Sequence, residues 1–396
     1  MEKLMILGAS DLQLPAYLEA RKMGLHTIGV DIDQNAPALC YADKPLIIST
    51  IDTKRILEAA EKYSIDGIMT LASDMPIRSV AKVAKELNLV GISEETALNA
   101  TDKYKMRVCL KNAGVPIPKF YKVNSWKEYV RALENFKEEC IVKPTDNSGS
   151  RGIYVIENIH DYEQIKKAYE YSKSYSRKGW ILVEEFMRGE EVSVEALTYD
   201  GKTDIIQVTD KKTTGIPYFV EVGHSQPSRH TTKEIEAIKS VTKRAVKAVG
   251  IDNGPSHTEI KLTKEGAKIV ELGARLGGGN ITTHLVPLST GVNMVKACIN
   301  LALGKKNYPR QTLNRASAIK FLVGKEGTLR AINNIERAKE IPGICEINIT
   351  KHVGENVHDP INGSERLGYV ISSADTVTEA EKICQIASDM IELEIV

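Results

Sequence analysis

The stretch His257-Thr258-Glu259-Ile260-Lys261, followed by Glu271-Leu272-Gly273-Ala274-Arg275-Leu276-Gly277-Gly278-Gly279, decides how the rest of this chain is read. Thr258, Ile260 and Leu262 alternate with polar residues, Ile269-Val270 opens a second apolar run, and Lys264-Glu265-Gly266 supplies a turn between them. This pattern predicts two antiparallel strands, with Glu259 and Glu271 facing each other across a hairpin. Hard divalent cations such as Mg2+ take oxygen ligands, usually one or two carboxylates completed by nucleotide phosphates. Two carboxylates, an arginine and a glycine run are thus the parts of a metal–phosphate site. Taken alone, they read equally well as two solvated glutamates on a surface hairpin, because surface carboxylates are common.

Size and charge narrow the setting. A chain of 396 residues corresponds to two to four domains of roughly 100–200 residues each. With 53 basic against 52 acidic residues there is no charge bias toward nucleic acid or an anionic membrane, and neither is expected as a partner. Cysteines 40, 109, 140, 298, 345 and 384 form no C-x-x-C and no Cys/His cluster, which argues against disulfide staples and structural zinc. A reducing, cytoplasmic location follows. No apolar run approaches the roughly 18 residues that span a bilayer. The opening Met1–Gly8 is strand-like, with too short an apolar run for a signal peptide.

Strand patterns at 4–8, 27–31, 45–49 and 67–71 alternate with helix patterns at 12–23, 53–63 and 75–87. That alternation predicts a doubly wound parallel sheet. Gly8-Ala9-Ser10 and Asp31 sit where a dinucleotide would bind, yet the second and third glycines of that fingerprint are missing. Asp74, ahead of Met75-Pro76, reads as a group that touches substrate or nucleotide or, better, as a helix cap, and Thr101 as the cap of a helix that Gly114 stops. From Cys140 onward the pattern turns to antiparallel strands at 140–143, 152–155, 181–185 and 191–197, with helices at 161–173 and 232–249. A tail with short strands and a helix at 378–390 closes the chain. The fold class is therefore mixed α/β and α+β, in several domains.

Two further stretches carry chemistry. In Lys143-Pro144-Thr145-Asp146-Asn147-Ser148-Gly149-Ser150-Arg151-Gly152, a strand ends in a lysine and runs into a loop of small residues. Backbone N–H groups in such a loop converge on phosphate oxygens while the lysine adds a point charge. In Ile181-Leu182-Val183-Glu184-Glu185-Phe186-Met187-Arg188-Gly189-Glu190-Glu191, apolar residues feed a pair of acids and a turn. Exposed backbone there can pair with adenine, and a carboxylate can accept from ribose hydroxyls. Each stretch alone also reads as an ordinary hairpin.

Their order is more specific than any one of them. Thr101-Asp102-Lys103, Lys143 with its glycine loop, Glu184 to Glu191, Glu259, then Glu271 and Arg275 together resemble the ATP-grasp superfamily over roughly residues 1–305. The resemblance implies a pre-ATP-grasp domain at 1–100, an ATP-grasp domain at 101–305 (lid within 101–190, catalytic part 191–305) and a C-terminal α+β module at 306–396. It implies that Lys103 and Lys143 contact nucleotide phosphates and that 146–152, with Ser148, Gly149, Ser150 and Gly152, form a closing loop. Glu184, Glu185 and the Met187 backbone resemble the adenine linker, and Glu191 the ribose ligand. Glu259 and Glu271 resemble the Mg2+ ligands, with Mn2+ as a substitute, and Arg275 the residue facing the transferred phosphoryl group. Where the family usually places an asparagine ligand this chain has Gly273, so Asn280 or water is expected to complete one coordination sphere.

The stretches around Val220–Ser228 and Asn253–Glu259, the phrase Arg275-Leu276-Gly277-Gly278-Gly279, and the tail phrase Glu365-Arg366-Leu367-Gly368-Tyr369-Val370 resemble the L-amino-acid ligase branch. That branch is related to the carbamoyl phosphate synthetase large chain. It implies an ATP-dependent carboxylate–amine ligase that releases ADP and phosphate through an acyl phosphate, acts on an amino acid or small peptide, and forms a homodimer. His224 and His257 flank the implied substrate side, as groups that shuttle a proton or as structural histidines. The competing readings are a purine-pathway ligase such as glycinamide ribonucleotide synthetase, and a catalytically weakened nucleotide-binding protein with Gly273 as its first lost ligand.

Overall fold

The computed structural model describes residues 1–396 apart from Ser148, Ser150 and Pro217. At the N-terminus, Lys3–Leu7, His26–Asp31, Lys44–Ile47 and Gly67–Met69 form a parallel sheet in the spatial order third, second, first, fourth. The unbroken apolar run Leu4–Leu7 is buried on both faces, as a central parallel strand should be. Leu4 and Ile6 pack with Ala16, Tyr17 and Ala20, and with Ile299 from the helix Met294–Ala302. Met5 and Leu7 point the other way, onto Ile56, Ala60 and Val83. The first face therefore fastens this sheet to the body of the molecule.

Two local expectations change. A helix at Glu94–Thr101, capped by Ser93, was not visible as a pattern, and Thr101 is its last residue. The next helix, Lys103–Asn112, is capped by Asp102, whose carboxylate accepts from Lys105 N at 3.0 Å. Thr101 cannot cap it, because its hydroxyl is turned back onto Ala97 O.

A second sheet, ordered Phe120–Val123, Ile181–Glu185, Cys140–Pro144, Tyr154–Ile156, is antiparallel throughout. Its core joins Val142, Ile181 and Val183 to Tyr129 and Ala168, which come from the helices Trp126–Leu133 and Tyr162–Ser174.

The largest sheet has eight antiparallel strands in the order Gly266–Gly273, Gly254–Thr263, Glu190–Tyr199, Lys202–Thr213, Glu221–Gln226, Ala316–Leu322, Gly368–Ala374, Ile344–Ile349. The C-terminal segment has a core of its own around Leu329, Val370 and Cys384, yet three of its strands extend this central sheet. Behind the hairpin, the helix Thr232–Val249 lays Ile238, Val241, Ala245 and Val246 on Ile260, Ile269 and Leu272. Each such aliphatic side chain contributes about 1.5–3 kcal/mol when fully buried, so the back of the hairpin is rigidly held. The helix starts in a reciprocal capping box, Thr231 with Glu234. Among the described residues no single helix is long and apolar enough to cross a bilayer; the apolar pair Ile281–Thr290 and Met294–Ala302 is bent by 114°.

Candidate active site

The hairpin forms as its alternation predicts. Gly254–Thr263 pairs with Gly266–Gly273, and Glu259 stands directly opposite Glu271. A lysine holds each carboxylate. Lys103 Nζ lies 2.6 Å from Glu271 Oε1 and also donates to Asn147 O, which draws the glycine loop toward the hairpin. Lys211 Nζ lies 2.7 Å from Glu259, 2.7 Å from Glu191 and 3.1 Å from Glu221. Burial works against charge on Lys211, but the three carboxylates outweigh it and hold its pKa well above the ordinary range. The same lysine outweighs burial to hold Glu259 and Glu221 below the carboxylate range.

Lys211 is shared by three carboxylates, and Lys103 stands on the opposite side of the pair at Glu271. Two opposed carboxylates offering only oxygens fit Mg2+, which takes its other ligands from water and phosphate. Among the described residues no group of three or more His, Cys, Asp or Glu side chains is placed to hold a metal ion.

A second cluster lies beside it. Glu184 receives Arg107 Nε at 2.7 Å and Nη2 at 3.1 Å, and its Oε2 lies 2.6 Å from Lys143 Nζ. Strand register explains the lysine: Ile141 is opposite Glu184, and Lys143, two residues on, points to the same face. Arg107 follows Lys103 by one helical turn, so both project from one side of Lys103–Asn112. Burial raises the Glu184 pKa, but Arg107 and Lys143 outweigh it and hold it at about 2. Burial lowers that of Lys143. Glu185 is also engaged, by Lys119 N and by Lys268 Nζ.

Arg275 makes a two-pronged contact with Asp74, Nε to Oδ1 at 2.7 Å and Nη2 to Oδ2 at 3.2 Å. Asp74 is therefore not a side-chain cap; the following helix, Ile77–Glu86, has none. Its carboxylate is drawn across to the guanidinium, a stronger partner than a helix amide.

His257 Nδ1 lies 2.5 Å from the buried Glu195, and its Nε2 3.6 Å from Glu259. Burial disfavours the imidazolium, but Glu195 outweighs it and pushes the pKa up to about 9. The glycine run makes this approach possible. A Cβ at Gly277 would stand 2.7 Å from both Glu195 Oε1 and His257 Nδ1, and Gly277 N donates to Glu195 Oε2.

His224 is buried under Gly279, edge-on to Phe321, with no hydrogen bond to either ring nitrogen. Burial lowers its pKa, so it is neutral near pH 7. Glu221 Oε2 is 3.7 Å away and accepts from Arg366, whose guanidinium lies over the Phe321 ring. Asn280 adopts a left-handed conformation beside Tyr369.

One cavity brings together Lys143, Glu184, Glu185, Met187, Glu191 and Glu259; an adjoining one is lined by Lys103 and Glu271 with Asp74 and Asn147. Gly149 and Gly152 lie in the loop next to Asn147. The proposed phosphate contacts Ser148 and Ser150 lie outside the described residues. Sequence reasoning missed Arg107, Lys211 and Glu195. Arg107 carried one signal, its one-turn spacing from Lys103; Lys211, in an Asp-Lys-Lys run, reads as solvated.

The ATP-grasp domain model matches residues 136–284, a span holding Lys143, the hairpin and Arg275. That match lies on the segment that carries the site. An L-amino acid ligase C-terminal domain matches residues 320–396. Alanine–anticapsin ligase of Bacillus amyloliquefaciens is 29% identical to this chain over 274 residues, 64% of the chain and 57% of the ligase. The chain thus spans just over half the length of that relative. The solved L-amino acid ligase of Bacillus licheniformis shares the fold, with a TM-score of 0.84, 23% identity, and coverage of 100% of this chain and 99% of that one. Phosphoribosylglycinamide synthetase from Anaerococcus prevotii superposes with a TM-score of 0.78 at 25% identity, covering all of both chains.

Proposed function

We propose that this protein is an ADP-forming carboxylate–amine ligase acting on an amino acid or small peptide. The observation that carries the reading is the opposed pair Glu259 and Glu271, flanked by Lys103, Lys143 and Arg275. A substrate carboxylate oxygen attacks the γ-phosphorus of ATP and ADP leaves. The amine then attacks the carbonyl carbon of the acyl phosphate, phosphate leaves, and the new amide nitrogen loses its proton. Phosphoryl transfer asks the protein for positioning and charge neutralisation.

In this reading Lys103 and Lys143 offset the polyphosphate charge. Mg2+ held by Glu259 and Glu271 would neutralise the phosphate oxygens further. Because the Glu184 and Glu185 carboxylates are already bonded within the protein, the backbone near Met187 is the part left to face adenine, with Glu191 toward the ribose. Arg275 stabilises the phosphoryl group in transit. The loop 146–152, tied to Lys103 through Asn147, excludes the water that would hydrolyse the acyl phosphate. His224, neutral and unbonded on the substrate side, suits acceptance of the amine proton, while charged His257 suits an anionic group. The match to an L-amino acid ligase C-terminal domain and the similarity to alanine–anticapsin ligase support the substrate class.

The purine-pathway reading has less support at the N-terminal sheet. Ala9 N–H is taken by Asp31 at 2.7 Å, and the space over Gly8 is filled by Gln13, so that turn is not an open phosphate nest. The six free cysteines support a reducing, cytoplasmic location. Homodimerisation, part of the same proposal, is read by light scattering. The chemistry is tested by 18O in the substrate carboxylate: transfer of one labelled oxygen to phosphate is the expected result, and unlabelled phosphate rejects the acyl phosphate.

A further inference from the structure

Gly273 occupies a place where a side chain would meet other groups. Its backbone is not left-handed, so the absence of a side chain is a matter of space. A Cβ there would lie 3.3 Å from Asp74 Oδ1, 3.3 Å from Arg275 Cγ and 3.4 Å from Arg275 Nε. An asparagine would push its amide into the Asp74–Arg275 pair. The room a ligand at 273 would need is taken by Asp74, from the loop after the N-terminal sheet's strand Gly67–Met69 and 201 positions from Arg275 in sequence.

The contact is built to orient. Leu276 N donates to Leu71 O at 3.0 Å, so the backbone beside Arg275 is stitched to the loop that carries Asp74. Of the five guanidinium N–H donors, two go to Asp74 and one to Leu276 O. One N–H on each terminal nitrogen remains, a fork shaped for a phosphoryl or acyl-phosphate oxygen.

We propose that Asp74 is a positioning residue that aims Arg275 at the transferred phosphoryl group, and that Gly273 is a glycine so that Asp74 can reach it. The inference rests on the ligase reading and adds to it a residue from the N-terminal sheet. Because Asp74 acts through Arg275, its loss affects turnover more than nucleotide binding.

The test compares wild type, Asp74→Ala, Gly273→Asp and Asp74→Ala/Gly273→Asp in Mg-ATP turnover, with the Arg275 Nε–H NMR signal assigned by its loss in Arg275→Lys. Asp74→Ala should lower kcat about 100-fold, the size of losing an oriented transition-state donor. The ATP Kd should change by less than about twofold. Gly273→Asp alone should also be impaired, because two carboxylates then share one space. The double variant places its carboxylate beside Arg275 and should recover both the Nε–H signal and most of the lost turnover. Unaltered kcat in Asp74→Ala, or a loss that the double variant does not relieve, overturns the inference and leaves the ligase reading standing. No ADP from wild type with any carboxylate–amine pair, with the Nε–H signal still responding to Asp74→Ala, overturns the ligase reading instead.

Discussion

The two buried ion clusters line one cavity and are built in opposite ways. Arg107, Lys143 and Glu184 place two cations on one carboxylate, in surroundings that leave those side chains between 1 and 5% exposed. Lys211 carries three carboxylates, Glu191, Glu221 and Glu259, which stay 16 to 27% exposed. In the first, two cations share one carboxylate beside the strand end where Lys143 meets the glycine loop, and Lys143 and Glu184 line a cavity. The second lines the same cavity with more exposed carboxylates, which have further cations nearby: Arg366 on Glu221, Lys261 3.8 Å from Glu191 and His257 3.6 Å from Glu259. A polyphosphate and a divalent cation, bound together, would satisfy both. In the less exposed cluster two cations converge on Glu184, whereas in the more exposed one Lys211 is shared by three carboxylates.

The comparison can be broken most strongly at Lys211. Lys211→Met leaves three crowded carboxylates without their cation and should cost about 3–5 kcal/mol of stability in the absence of metal. Urea unfolding with and without Mg-ADP checks this: much of the loss should return with the metal–nucleotide, and equal losses in both conditions would show the cluster to be purely structural. Glu184→Gln should cost about 3 kcal/mol at pH 7, with no recovery on adding metal.

The sign of its pH dependence follows from the depressed pKa. Glu184 titrates at about 2 in the folded protein against an ordinary 4.5, so its contribution is complete above about 4.5 and is lost as pH falls toward about 2. Wild type and Glu184→Gln should therefore converge in stability on acidification; a constant gap would contradict the assignment. The smallest expected effect belongs to Glu271→Gln. It should weaken Mg-ATP binding about tenfold, or about 1.4 kcal/mol by calorimetry, with little change in Tm.

The sequence made the hairpin legible because its information is local. Alternation and a turn placed Glu259 against Glu271, and the helix Thr232–Val249 and the strand Ile181–Glu185 run where their patterns put them. The ordered series of lysines, loop and acids then pointed to the superfamily. What stayed hidden depends on partners distant in sequence. Lys211 reads as solvated until the strand Lys202–Thr213 turns it among Glu191, Glu221 and Glu259. Arg107 is one more basic residue on a helix until Glu184, 77 residues later, comes to it. Asp74 resembles a cap because no local pattern reports a guanidinium arriving from another sheet.

The central claim is tested most directly by measuring ADP, phosphate and amide together while pairs of amino acids are supplied with Mg-ATP. The account predicts equal amounts of all three for at least one pair, no AMP, and loss of the signal in Arg275→Ala. Release of AMP and pyrophosphate with the amide would contradict it, as would tight ATP binding with no ADP from any pair.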